Sequence, residues 1–319
     1  MRTSEKMKGA LLLSIMALCF VFCTSCNRDD IYKEEQYKNL VYLLSGSENV
    51  YAEAYTLNEI EPVKYFSIGC GGSKPNSKEI VVTLVPDIDL FNQYNIRNFD
   101  LESSYAKLLP ASKYEIGTYV VSIPANPADQ YVKTSVKVRP LGLSPDTIYF
   151  IPLMIKSVSH YEVNEDKYNM LYRVTIENDY ARQKVTTQYT KRGTVKNQNT
   201  NAETLLVGTK VLHPLTKDKV RMLVANESLN QTVADIERRS ITVQINTDNT
   251  LDITPYGTME VEMLDEEGYN LYDPKVLQPF GTKTQRVFYL YYRYRLQNSD
   301  GTFGVWQEVK ESLTRVEED

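Results

Sequence analysis

Cysteine is scarce in this 319-residue chain, and its distribution excludes a fold held by disulfides. Four cysteines are present, and three of them, Cys19, Cys23 and Cys26, lie within the first 26 residues. Beyond them only Cys70 remains, so the body of the chain has no second thiol for an intrachain disulfide. The fold must therefore be held by its hydrophobic core, and roughly 290 residues are enough for two domains.

Histidine is rarer still, which argues against the commonest metal and catalytic sites. His160 and His213 are the two histidines, and neither has another metal-ligating residue at a useful spacing. A zinc site and a Ser-His-Asp triad are therefore unsupported, and both histidines are interpreted as ordinary surface or loop residues. Asp87 and Asp89 could serve a glycosidase only with a further acid that protonates the leaving group, and no such acid follows them closely. The segment that Asp87 opens is instead predicted to be a short helix. The sequence thus predicts no catalytic residue, no metal and no cofactor.

The chain also lacks an excess of positive charge. Its formal net charge is −5 at pH 7, and removal of residues 1–25, which carry three bases and one acid, changes that charge to −7. No block of basic residues stands out either. A nucleic-acid partner is therefore not expected.

The N-terminus carries an apolar run that is too short to span a bilayer. Leu11–Phe22 follows a positively charged start, which is typical of a secretory signal. The small residues Thr24 and Ser25 then precede Cys26, an arrangement that resembles the lipobox of bacterial lipoproteins, although Cys23 stands where such boxes usually have leucine. We predict a signal peptide over residues 1–25 and lipidation of Cys26, with a palmitate-type acyl anchor. The alternative is a plain signal peptide followed by an incidental cysteine.

Acidic residues follow Cys26 closely in a segment that has no apolar pattern. Asp29, Asp30, Glu34 and Glu35 lie within residues 26–37, which are predicted to form a tether. The arrangement resembles the acidic export signal of Bacteroidota surface lipoproteins. That resemblance implies a protein anchored by lipid in the outer membrane and facing the cell exterior. A solvated linker that its charge keeps extended is the alternative.

Short segments of alternating and β-branched residues dominate from Asn39 onward and predict an all-β protein. Segments such as "VKYFSI" and "EIVVTLV" favour an immunoglobulin-like antiparallel sandwich over residues 38–179. A polar, Asn/Thr-rich stretch near Asp179 marks the boundary. The strands that follow predict a second β domain over residues 180–319, either an antiparallel sandwich or an up-and-down, lipocalin-like barrel. Hairpin turns are predicted at Thr247–Thr250 and Asp300–Gly301.

The strand patterns also resemble a known pair of domains. "YKNLVYLLSG" and "DTIYFIPLMIKSVS" are similar to the N-terminal domain of Bacteroidota surface lipoproteins encoded in Sus-like polysaccharide-utilisation loci, a domain also found ahead of family-18 glycosidases. "ITVQINTDNTLDITPYG" and "FYLYYRYRL" are similar to the C-terminal domain often paired with it. The resemblance implies a non-catalytic surface protein that binds a poly- or oligosaccharide and accompanies a TonB-dependent transporter. A glycoside hydrolase and an adhesin-like module that binds protein are the alternatives.

Alternation in the last hairpin locates a candidate binding surface. One face of "RVFYLYYRYRL" is mostly apolar and is expected to face the core. With a two-residue type I′ turn at Asp300–Gly301, Leu296 would oppose Val305 on the inside, and Arg293 would oppose Glu308 on the outside. Aromatic rings interleaved with guanidinium groups suit a sugar, which stacks its C–H face and accepts hydrogen bonds. The alternative is a purely structural set of cation–π and ion pairs. The predicted ligand-binding residues are Tyr289, Tyr291, Arg293, Arg295 and Trp306.

Overall fold

The computed structural model describes residues 37–126, 130–228, 232–277 and 283–316. Within these ranges the chain forms a β-sandwich followed by a β-barrel, which confirms the predicted all-β, two-domain architecture. The predicted signal peptide, the lipidation site Cys26 and nearly all of the tether lie outside the described residues.

The N-terminal sandwich is built from two facing sheets. Its strands are β1 (Leu40–Leu43), β2 (Val50–Thr56), β3 (Val63–Gly71), β4 (Ile80–Val85), β5 (Lys107–Leu108), β6 (Tyr114–Ile116), β7 (Val120–Ile123), β8 (Tyr131–Val138), β9 (Tyr149–Val158), β10 (Glu162–Val163) and β11 (Asn169–Glu177). One sheet has the order β10-β1-β3-β8-β6, and the other has the order β2-β11-β9-β4-β7, with β5 beside β9. The pairs β1–β10, β2–β11 and β5–β9 are parallel, so the sandwich is mixed rather than antiparallel throughout.

Period-two alternation explains the core of the sandwich. In β4, Ile80, Val82 and Leu84 point inward, because successive side chains of a strand face opposite sides of the sheet. The facing strands contribute similar aliphatic residues to one continuous cluster. Its polar feature is a pair of buried tyrosines, Tyr55 and Tyr172, whose hydroxyl oxygens lie 2.7 Å apart.

A short helix, α1 (Ile88–Asn98), begins where the sequence predicts it. Asp87 is its N-cap, and the carboxylate accepts a hydrogen bond of 3.1 Å from the Leu90 amide. The side chain of Asn169 donates a second hydrogen bond to the same carboxylate. Asp87 is therefore occupied in helix capping. Short 3-10 turns lie at Ser47–Asn49, Glu102–Ser104 and Ala111–Lys113.

The C-terminal domain is a nearly closed up-and-down barrel. Its elements are β12 (Thr187–Asn197), β13 (Glu203–Thr216), β14 (Lys219–Leu223), α2 (Val233–Arg239), β15 (Ser240–Ile245), β16 (Leu251–Pro255), β17 (Glu260–Met263), β18 (Leu271–Leu277), β19 (Thr284–Arg295) and β20 (Gln307–Val316). The strand order is β16-β15-β14-β13-β12-β20-β19-β17, with β18 beside β19. Because β20 returns to pair with β12, the meander curls on itself and favours the barrel over the sandwich alternative.

Polar contacts join the two domains. The side chain of Asn178, between β11 and β12, donates 2.7 Å to the Thr216 carbonyl and accepts a hydrogen bond from the Ala181 amide. Arg221 of β14 is buried and forms a two-pronged ion pair with Asp146 of the sandwich. β11 still pairs within the sandwich, and β12 is the first strand of the barrel.

Candidate ligand-binding surface and barrel cavity

The two faces of β19 are as the sequence predicts. Phe288, Leu290, Tyr292 and Tyr294 are buried in the barrel core. The intervening residues, from Tyr289 to Arg295, are half-buried on the outside of the barrel. The alternation of the sequence therefore fixes which side chains are available on this wall.

The turn of the β19–β20 hairpin differs from the prediction. The Gly301 amide bonds the Asn298 carbonyl, and Asn298 pairs with Thr302, which leaves a three-residue loop in place of a two-residue type I′ turn. Gly301 has φ of +84°, the left-handed conformation that closes such loops. Leu296 consequently pairs with Gly304, and Val305 is exposed instead of facing Leu296 inside.

An extra residue on the β20 side of the hairpin then restores the predicted pairing between β19 and β20. Arg295 stands opposite both Val305 and Trp306, because the next pair along the ladder is Tyr294 with Gln307. Arg293 opposes Glu308, as predicted. The one-residue offset near the turn is thus cancelled by this bulge.

Trp306 lies between the two predicted arginines. The guanidinium carbons of Arg293 and Arg295 are each 4.7 Å from its ring centroid, so both form cation–π contacts. Their charges are neutralised from strand β17, where Glu262 pairs with Arg293 and Glu260 pairs with Arg295. The predicted neighbour Glu308 does not take Arg293. The cation–π contacts of the structural alternative are therefore present at Trp306, and its ion pairs are formed with β17 instead of β20.

Tyrosine and lysine extend this wall. The Tyr291 hydroxyl donates 2.8 Å to Glu308, and its ring packs against Tyr269 with centroids 5.8 Å apart. Lys310 lies 4.6 Å from the Tyr291 centroid and pairs with Glu266. Tyr289 lies on the same side of β19, opposite Ser312. We call this surface the outer wall; its aromatic and cationic residues are Tyr269, Tyr289, Tyr291, Arg293, Arg295, Trp306 and Lys310.

The barrel interior holds charged residues that the sequence analysis missed. Lys210 and Glu311 are buried and form an ion pair with Nζ–Oε distances of 2.6 and 2.7 Å. Tyr292 donates 2.9 Å to the same carboxylate, and burial raises the Tyr292 pKa well above its usual value, so the hydroxyl keeps its proton. A signal existed: Glu311 alternates in phase with the buried residues Val309 and Leu313.

A third buried charged residue, Lys191, lies beside this pair. Lys191 is 6% exposed, and its ammonium group donates to the Ala225 carbonyl and to the Asn226 side chain. Burial lowers the Lys191 pKa, while the nearby Glu311 carboxylate acts in the opposite direction. Lys191 therefore stabilises the loop at residues 224–228 through these two hydrogen bonds.

That loop borders a cavity of about 500 Å³ at one end of the barrel. Val195 and Leu296 provide its apolar wall, and Asn226, Arg238 and Gln307 provide polar groups. We call this cavity the barrel mouth. Its volume is within the range of small-molecule sites.

The remaining sequence candidates have structural roles. His160 is exposed, as predicted, whereas His213 is half-buried in strand β13 beside Arg221 and is therefore not a loop residue. Burial, and then the Arg221 charge, lower the His213 pKa to about 4. Cys70 is a buried free thiol whose pKa burial raises.

The described residues lack both a metal-binding cluster and a membrane-spanning helix. Within the four described ranges, no group of three or more His, Cys, Asp or Glu side chains is placed to hold a metal ion. In the same part of the chain, no helix is long and apolar enough to cross a bilayer.

Two family models match the chain in succession. One describes an N-terminal domain and matches residues 35–162, and the other describes a C-terminal domain and matches residues 168–314. The second model begins just before β11, although β11 pairs with strands of the sandwich. The family models and the strand pairing therefore give different boundaries, and the predicted limits at residues 179 and 180 stay a prediction. No curated protein matches the chain.

Solved structures from Bacteroides share the fold over nearly the whole chain. A Bacteroides ovatus protein of unknown function is 17% identical, with a TM-score of 0.69, and the match covers 87% of this chain and 94% of that one. An auxiliary nutrient binding protein from Bacteroides thetaiotaomicron is 12% identical, with a TM-score of 0.61, and the match covers 85% of this chain and 92% of that one. At these identities the likeness establishes the two-domain fold.

Proposed function

This chain carries in succession the N-terminal and C-terminal domains of a family of two-domain Bacteroidota proteins, and from that premise we propose that it is a non-catalytic, lipid-anchored surface protein that binds glycan. It would present a poly- or oligosaccharide to a TonB-dependent transporter in the outer membrane, as part of a Sus-like utilisation system. The description of one structural neighbour as a nutrient binding protein is consistent with this proposal.

The outer wall is the observation that carries the proposal. Trp306, Tyr291 and Tyr269 lie on one side of a broad sheet, interleaved with Arg293 and Lys310. A sugar ring packs its C–H face on such rings, while cationic N–H groups donate to its hydroxyls. Because these rings are spread along the outer wall rather than gathered in a pocket, they suit an extended sugar chain better than a compact metabolite.

The ion pairs of the wall set a condition on binding. Glu260 and Glu262 hold the two arginines over Trp306, so the cations are ordered before a ligand arrives. Their exposed positions keep these pairs weak, which allows the guanidinium groups to exchange a carboxylate for a sugar hydroxyl. The arginines are therefore positioned in advance, yet their ion pairs with glutamate can be replaced by hydrogen bonds to a sugar.

Calorimetric titration tests the proposal on the chain that starts at Asn27, which retains both domains. The ligands are oligo- and polysaccharides of neutral hexoses, N-acetylhexosamines and uronic acids. We expect binding without product formation, and a loss of affinity of tenfold or more in Trp306→Ala and Tyr291→Ala, because each removes a stacking ring.

Tyr131→Ala is the matched control for these variants. Tyr131 is an exposed tyrosine of the sandwich whose ring also lies near a lysine, Lys133, at 5.7 Å. It should keep full affinity. Full affinity in folded Trp306→Ala and Tyr291→Ala would exclude the outer wall as the binding site. Formation of a product would favour a glycosidase. Absence of binding to every glycan would favour an adhesin-like role.

The anchor is tested in cells. Cys26→Ala should release the protein to the soluble fraction and abolish palmitate incorporation, whereas Cys70→Ala should change neither. Protease added to intact cells should digest the wild-type protein, and neutralisation of Asp29, Asp30, Glu34 and Glu35 should protect it. Palmitate labelling that persists in Cys26→Ala would contradict lipidation at that residue.

A further inference from the structure

The barrel mouth is lined by one cation, Arg238, and by one carboxylate, Glu227. Glu227 pairs with Arg239 at 3.1 Å, and Asp235 lies 3.9 Å from the same guanidinium, so both carboxylates are directed to one arginine. Arg238, on the same turn of α2, has no carboxylate partner among the described residues. Its hydrogen bond runs from Nε to the Gln297 carbonyl, at 2.8 Å.

Lys191 adds a second positive charge below the mouth. Its two hydrogen-bond acceptors, the Ala225 carbonyl and the Asn226 amide oxygen, are both uncharged. The buried Glu311 carboxylate acts on Lys191 from nearby but is already shared by Lys210 and Tyr292. A buried ammonium group whose hydrogen-bond acceptors are all uncharged is costly, and an anion bound nearby would lower that cost.

We propose that the barrel mouth binds an anionic sugar unit, whose carboxylate or sulfate group is taken by the Arg238 guanidinium. This inference rests on the proposed glycan-binding function and adds a specific site to it. Arginine suits either group, because its planar fork of N–H donors matches two oxygens at once.

The rest of the mouth fits a sugar ring behind that anionic group. Val195 and Leu296 offer an apolar surface to the C–H face of the ring. The side-chain amides of Asn226 and Gln307 can donate to and accept from its hydroxyls. A neutral sugar would use these contacts but would leave the charges of Arg238 and Lys191 uncompensated.

Saturation-transfer NMR titrations of the chain starting at Asn27 test this site, with glucuronate, glucose 6-sulfate and glucose as probes. We expect at least one of the two anionic sugars to bind tenfold or more tightly than glucose. Comparison of glucuronate with glucose 6-sulfate shows whether the site prefers a carboxylate or a sulfate. Arg238→Gln should abolish that preference. Thr204→Trp, which places a bulky ring at the exposed rim of the mouth, should block the anionic probes.

The variants keep the test decisive. Arg238→Gln also loses the hydrogen bond to Gln297, so thermal unfolding must first show that it is folded; if it is not, Thr204→Trp decides alone. Equal affinity for the three probes, or an anionic preference that survives folded Arg238→Gln or Thr204→Trp, would overturn the proposal.

Trp306→Ala separates this inference from the proposed function. If Trp306→Ala abolishes polysaccharide binding while the mouth variants have no effect on any probe, glycan binding stands and the mouth site is wrong. If the anionic probes depend on Arg238 but no polysaccharide binds, the mouth site stands and the outer wall is wrong. If no saccharide binds at all, both proposals fail.

Discussion

The sandwich and the barrel use their inward-facing positions differently. The sandwich fills them with aliphatic and aromatic residues, and the buried polar contact that stands out is the Tyr55–Tyr172 pair. The barrel places Lys210 and Glu311 at the same kind of position and leaves a cavity at one end. Two facing sheets close on each other, whereas a barrel encloses a lumen that side chains need not fill. Ligand chemistry is therefore expected in the barrel rather than in the sandwich.

The largest expected effect comes from breaking the barrel's buried ion pair. Lys210→Met leaves Glu311 buried without its cation and should lower the free energy of unfolding by about 3–5 kcal/mol. Trp306, the single tryptophan of the chain, reports barrel unfolding by fluorescence in a urea titration. The sandwich counterpart, Tyr172→Phe, removes one hydrogen bond between uncharged groups and should cost about 1 kcal/mol.

The double variant Lys210→Met/Glu311→Met tests whether the loss comes from an unpaired buried charge. Because it removes both charges, it should recover most of the stability that the single change loses. A loss in Lys210→Met no larger than that in Tyr172→Phe would contradict a distinct role for buried charge in the barrel.

A smaller effect depends on pH. Burial and the Arg221 charge hold the His213 pKa near 4, so the unfolded chain, with a histidine pKa of about 6.5, takes up a proton that the folded chain does not. Stability is therefore lost as the pH falls from 6.5 to 4, by at most about 3 kcal/mol.

Urea titrations across this range measure the loss. His213→Gln should flatten the pH dependence, and the exposed histidine of the sandwich, His160, provides the control variant His160→Gln. Asp146, which pairs with Arg221, is retained in both variants. A pH dependence that disappears in His160→Gln and persists in His213→Gln would reverse the assignment.

The smallest effect is expected on the outer wall. Arg293→Gln removes a half-exposed ion pair with Glu262 and one cation–π contact with Trp306. Since such exposed pairs contribute little, the free energy of unfolding should fall by less than about 1 kcal/mol. A loss near that of Lys210→Met would show that the wall is primarily structural.

Sequence alternation could predict the wall but not its partners. The periods of β19 place Tyr291 and Arg293 outside correctly, because a strand's side chains must alternate. That Glu262 rather than Glu308 would take Arg293 depends on the pairing of β17 with β19, a non-local contact that local pattern does not encode. The predicted turn type was wrong because "NSDGT" is compatible with both a two-residue and a three-residue loop.

The barrel mouth could not be predicted for a similar reason. Its lining comes from the ends of separated strands, from the loop at residues 224–228 and from α2. Glu311, in phase with buried neighbours, was a readable exception to the rule that charges face water. The sequence offered no comparable signal that Lys191 and Arg238 would lie at the same barrel end.

Hydrogen–deuterium exchange on the full soluble chain, with and without a saturating oligosaccharide, tests most directly the claim that the barrel binds glycan. We expect slower exchange in β19, β20 and the loop at residues 224–228, with the sandwich strands unchanged. Protection confined to the sandwich, with the barrel unchanged, would contradict it.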